Sequence, residues 1–139
     1  MGLDIARKAI EEGDFMWEIQ HPFPYTAEDF SKPYQRLLTA IKDEDHGEVI
    51  EARRALKAYL GVHDYEYMVW QEWKEGFARW VENLVKRELG LPENKVGLKH
   101  PFSRVVFYAG GEAYINYLAQ SFPPLVNDLT ALFVKMLAI

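Results

Sequence analysis

The stretch WQEWKEGFARWVENLVKREL, residues 70–89, holds the side chains of this chain that come nearest to chemistry. At helical spacing its carboxylates Glu72, Glu75 and Glu82 share one side. Acids arranged so can ligate a metal or move a proton. The same side also reads as a plain wet face. Glu75–Arg79 and Glu82–Lys86 stand four apart with the acid first, the favourable order for surface ion pairs worth about 0.2–0.5 kcal/mol each. The four histidines, His21, His46, His63 and His100, are isolated, and none is followed by Glu and a second His four residues on. His21 and His100 each precede a proline, so both are loop positions that a fold could bring to Glu75 as a dispersed His–His–Glu set. His46 follows Asp45 and His63 precedes Asp64, which reads as helix-start chemistry rather than ligation. Ser103 reads as a cap, with no His and acid close by to make it a nucleophile. No catalytic residue is assigned.

Composition narrows the field further. The chain has 139 residues, 49% of them hydrophobic, with four Trp, eight Tyr and eight Phe, enough to build the core of one domain spanning 1–139. With no cysteine, disulfides, thiolate zinc sites and thiol nucleophiles are excluded. Net charge is −5, and the basic residues are interleaved with acids, so no phosphate-binding stripe exists and nucleic acid is not an expected partner. No long apolar run calls for a membrane, and the acidic start MGLDIARKAIEEGD is not a signal peptide. A cytoplasmic location is the expectation. Walker, dinucleotide, EF-hand and G-x-S-x-G patterns are missing.

The elements that must position these residues read as helices throughout. Ile5, Ala6, Ala9 and Ile10 predict a helix over 4–12 that stops at Gly13. DFMWEIQHPFPY, 14–25, reads as an ordered loop whose rings plug the core. Thr26 with Asp29, and Ser31 with Pro33, are capping signals for a helix over 32–43. Asp45 caps the next, 46–60, where Val49, Ala52, Leu56, Tyr59 and Leu60 recur on one face and Gly61 ends it. Asp64 opens a long helix, 65–89, stopped by Gly90-Leu91-Pro92. RVVFYAGG, a short strand or the start of a helix, is read as helix because no partner strand is visible. Two glycines in AGGEAY suit a tight helix–helix junction, or free N–H groups for an anion. Pro123-Pro124 breaks the chain before a last, strongly apolar helix over 125–138, which is either central or the cover of a partner. The expected fold is all-α, a single domain of about five to seven helices packed around one long central helix.

On that long helix Trp70, Trp73, Phe77, Trp80 and Leu84 recur at 3, 4, 3, 4 and are expected to face the core, with Trp73, Phe77 and Trp80 nearly inaccessible. Met68, Glu72, Glu75, Arg79, Glu82 and Lys86 form the opposite, solvated stripe. Gly76, costing about 1 kcal/mol in mid-helix relative to alanine, signals a neighbour crossing close to the backbone.

YEYMVWQEWKEGFARWVENLVKRELG and the downstream FSRVVFYAGGEAYINYLAQSFPPLVNDLTALF resemble the C-terminal helical part of gluzincin-type zinc peptidases and their relatives, over residues 50–137. In those families an HExxH helix supplies two His ligands, and a later helix carries the third ligand in an EG-x-A-x-[YW]-x-E setting. The resemblance implies that Glu75 is the metal ligand, with Arg79, Trp80 and Glu82 in supporting positions and Glu72 beside them. This chain contains no HExxH, so both histidine ligands and the general base are missing. Zinc is therefore implied only where a further segment supplies the histidines, and the chain alone carries no cofactor and no peptidase activity.

Two readings follow. One is the C-terminal part of a zincin-like metallopeptidase, partnered by an N-terminal peptidase segment. The other is a helical protein-interaction or dimerisation module without enzymatic role, whose partner is a second copy or another protein.

Overall fold

The computed structural model describes residues 17–138, and the helix expected over 4–12 lies outside them. Those residues form five α-helices and no strand: α1 (Trp17–Gln20), α2 (Glu28–Lys42), α3 (His46–Glu88), α4 (Val106–Ser121) and α5 (Leu129–Leu137), with a 3₁₀ turn at Pro123–Asn127. No helix among them is long and apolar enough to cross a membrane.

α3 is the centre of the fold, and it is not one straight rod. Gly61 sits at φ 73°, ψ −177°, outside helical space, at the position where glycine alone meets no steric penalty. Arg53 and Glu72 lie 19 residues apart, yet their side chains meet at 3.2 Å. In a straight helix that separation would be roughly 28 Å. The chain therefore reverses at Gly61, and arm 46–60 folds back along arm 62–88. Gly61 as a helix end and Asp45 as a cap, its Oδ1 accepting the Glu48 N–H at 3.1 Å, agree with the sequence. The N-cap of α2 does not. The cap is Ala27, which makes no side-chain bond, and Pro33 lies inside the helix rather than at its start.

α2 and α4 pack on the two arms of α3, and α5 packs on α3 through Leu132, Phe133 and Met136, meeting Trp70, Trp73 and Arg53. The RVVFYAGG segment is helical, as expected. Its glycines set the distance of α4 from α3. A Cβ on Gly76 would fall 2.5 Å from the Gly111 carbonyl carbon, one on Gly111 would enter the Glu72 backbone, and one on Gly110 would strike the Tyr34 hydroxyl. Two backbones thus touch where Gly76 faces Gly111.

The faces of arm 62–88 are rotated from the expected arrangement. The fully buried stripe is Tyr65, Val69, Glu72, Gly76, Arg79 and Asn83, with Met68 beside it. Trp70, Trp73, Phe77 and Trp80 are half-buried rather than inaccessible, and Leu84 is exposed. The expected wet stripe therefore supplies Met68, Glu72 and Arg79 to the interior. The cause is the glycine crossing: the side that a neighbouring backbone can approach must be the side with small residues, and that is the Gly76 side.

Gly111→Ala is expected to destabilise the fold by about 1–3 kcal/mol in urea unfolding, because neither backbone at the crossing can retreat. Gly47→Ala, whose Cβ would meet only Asp45 Oδ1 at an ordinary 3.7 Å, serves as the control and should be neutral or slightly stabilising.

Candidate functional site

Arg53 and Glu72 occupy apolar-face positions on their arms: Arg53 between Val49 and Leu56, Glu72 between Met68 and Gly76. Folding the arms together seals both from solvent. Arg53 Nη1 donates to Glu72 Oε1 at 3.2 Å and Oε2 at 3.3 Å, and Nη2 donates to Oε1 at 3.3 Å. Nη2 also reaches the Met136 carbonyl at 3.0 Å, and the Tyr34 hydroxyl of α2 donates to Glu72 Oε2 at 2.9 Å. Tyr114 of α4 lies under the guanidinium, 4.0 Å from ring centroid to Cζ. Burial works against the Arg53 charge, but Glu72 and the surrounding tyrosines outweigh it and hold the guanidinium ionised. Burial first, then the Glu72 charge and hydrogen bond, push the Tyr34 hydroxyl well above its ordinary value. Tyr65 and Tyr114 are also raised, burial being the largest cause for each.

Nothing in the sequence reading above brought this cluster together. The available signal was a charged residue of opposite sign at a core position on each side of a glycine break.

The residues singled out from sequence scatter around it. Glu72, expected as a supporting acid on the wet face, is buried and fully engaged by Arg53 and Tyr34. Arg79 turns inward, and its Nη1 donates to the Val96 carbonyl at 2.7 Å, pinning loop 90–98 to α3 instead of pairing with Glu75. Asn83 beside it holds the same loop, donating to the Asn94 carbonyl at 3.0 Å and to Glu112 Oε1 at 2.8 Å. Glu82 makes the expected pair with Lys86 at 2.8 Å, and that hydrogen bond lowers the Glu82 pKa. Glu75 is half-buried, its side chain 20% exposed, with Lys74 Nζ 3.9 Å from its carboxylate.

The same lysine donates to Glu18 Oε2 of α1 at 2.6 Å, which brings α1 alongside Glu75. Burial raises the Glu18 pKa, but bonds from Lys74 and from the Trp70 indole at 2.7 Å outweigh it and leave it lowered. The partners of His21 include Asp64 at 2.7 Å and the stacked Tyr67 ring at 4.3 Å. Those of His100 include Gln35 at 3.2 Å and the Phe102 ring at 4.0 Å. Among the described residues, no three His, Asp or Glu side chains are grouped so that they could hold a metal ion. The dispersed His–His–Glu site is not assembled there.

A cleft of about 660 Å³ lies between α2, α4 and the end of α3. On its wall Arg87 and Lys95 meet Glu93 at 3.1 and 3.4 Å and Glu112 accepts from Asn83, while Lys42, Asp43 and Glu44 also line it.

No family model, curated protein or solved structure matches the chain.

Because Tyr34, Tyr65 and Tyr114 all have raised pKa values in the fold, their contribution is complete below about pH 10, where an unfolded tyrosine begins to ionise, and is lost above it. Urea midpoints should fall as pH rises past that point, and Tyr34→Phe should flatten the fall while lowering stability at neutral pH by about 1–2 kcal/mol. Arg53→Met should cost about 3–5 kcal/mol, and adding Glu72→Met should recover much of it, since the single change strands a buried charge and the pair does not.

Proposed function

We propose that this chain is a helical domain without chemistry of its own, corresponding to the C-terminal part of a zincin-like metallopeptidase and presenting Glu75 to a metal centre whose histidines and general base come from another segment or chain. The state of Glu75 carries this reading. Of the three acids Glu72, Glu75 and Glu82, Glu72 is consumed by the core and Glu82 by Lys86 and Asn94. Glu75 is half-buried and, among the described residues, makes no hydrogen bond and has Lys74, at 3.9 Å, as its ion-pair partner. A carboxylate held partly out of water without donors is costly unless a cation completes it. The Gly76–Gly111 backbone contact immediately after Glu75 fixes its Cα, as a ligand supplied to someone else's site requires.

The metal does not fit this chain alone, since one carboxylate is not a zinc site. A cytoplasmic setting suits the cysteine-free composition. The second reading, an interaction module without any metal, is favoured by the apolar surface left uncovered beyond Trp73 on α3.

The reading is tested at the coding locus and then in the tube. The same or an adjacent reading frame should encode an HExxH helix. Co-expressed with that segment, the chain should retain about one zinc per complex, the usual load of a single catalytic centre. Zinc should be lost in Glu75→Ala and kept in Glu82→Ala, measured by metal analysis of the purified complex. A locus without HExxH, or zinc retention indifferent to Glu75→Ala, would overturn the proposal.

A further inference from the structure

The outer face of arm 62–88 has a seven-residue rhythm. Lys74, Val81 and Glu88 recur at one position, Phe77 and Leu84 at a second, Ala78 and Val85 at a third. Phe77, Val81, Leu84 and Val85 supply the apolar positions of a two-helix seam, with the charges of Lys74 and Glu88 at its two ends. Among the described residues nothing covers Val81, Leu84 and Val85. α5 reaches only as far as the start of the aromatic stripe, where Phe133 meets Trp70 and Trp73 at 6.1 and 5.3 Å. Beyond that point Val81 is 38% exposed, Leu84 37%, Val85 50% and Leu89 68%. A monomer rarely leaves a continuous apolar ridge of this kind in water.

We infer that this face pairs with the same face of a second copy, antiparallel, with Val81 on the two-fold axis. Charge selects that occupant and direction. Lys74 and Glu88 lie seven residues before and after Val81, so an antiparallel pair sets each Lys74 against the partner's Glu88. A parallel pair would set like charges together. Among the described residues Glu88 makes no ion pair, and Lys74, although bonded to Glu18, keeps its side chain 46% exposed. The register also sets Phe77 against the partner's Val85 and Leu84 against the partner's Ala78. An isologous contact over four helical turns hides on the order of 1,000 Å² in total, the lower end for a specific interface, which implies a concentration-dependent dimer rather than an obligate one. The inference does not rest on the Glu75 reading.

Because the chain has no cysteine, one substitution reports the axis directly. Val81→Cys should form a disulfide-linked dimer on mild oxidation, and Val62→Cys, exposed at the far end of the arm, should not. In sedimentation equilibrium, Val81→Glu should weaken dimerisation by about tenfold or more with an unchanged helical circular dichroism spectrum. Glu88→Lys should weaken it, and adding Lys74→Glu should restore it. A monomer at all concentrations up to about 1 mM, a dimer indifferent to Val81→Glu, or a failure of the double charge exchange to restore association overturns the inference.

Discussion

The fold depends on one buried ion pair. Arg53 and Glu72 are both sealed from water, and an isolated charge in that position would be intolerable. Apart from Arg53 Nε, which is buried without a partner, their polar atoms are engaged only when the rest of the chain is in place. The Gly61 reversal brings the two together, α2 delivers the Tyr34 hydroxyl, α4 delivers the Tyr114 ring, and the last turn of α5 delivers the Met136 carbonyl. Among the described residues, every helix longer than a single turn contributes a group. Such a pair adds little net stability over an apolar one of the same shape. Its effect lies in the alternatives it penalises, because any packing that omits one helix leaves part of the pair without a partner.

The glycines make that arrangement geometrically feasible. Tyr114 can lie 4.0 Å from the Arg53 guanidinium only if α4 approaches α3 closely, and the approach is set by Gly76 against Gly111. Gly110 leaves the space that the Tyr34 hydroxyl occupies on its way to Glu72. The electrostatic and steric constraints are thus the same constraint. A side chain at the crossing would push α4 outward and strip the ion pair of its aromatic floor.

What was legible in the sequence follows from which signals are local. Asp45 and Gly61 act on their own backbone, and both mark ends where expected. The Gly110-Gly111 junction and the all-helical class were equally readable. The cap of α2 was not, because the chain enters that helix through Ala27 and absorbs Pro33 within it. The orientation of arm 62–88 was misread because hydrophobicity was taken for burial. Tryptophan is large and amphipathic, and here it serves half-buried: the Trp70 indole donates to Glu18 and the Trp73 indole to the Leu129 carbonyl at 2.9 Å. Arg79 stands on the stripe expected to be solvated, yet with Asn83 it clamps loop 90–98. That partner is distant in sequence and carries no pattern of its own.

The rotation of the faces has a functional consequence. Glu75 and Val81 are about 120° apart around the helix axis, since each residue advances about 100°. One flank of the arm therefore presents the half-buried carboxylate and another the apolar ridge, while the stripe led by Glu72 and Gly76 is committed to the core. Had the tryptophans been the interior face, the ridge beyond Trp73 would have been covered and the acids would have shared one wet surface. The proposed ligand Glu75 and the proposed pairing surface thus lie on the same arm without competing for space. Both are held in register by the glycine crossing and the buried ion pair between them.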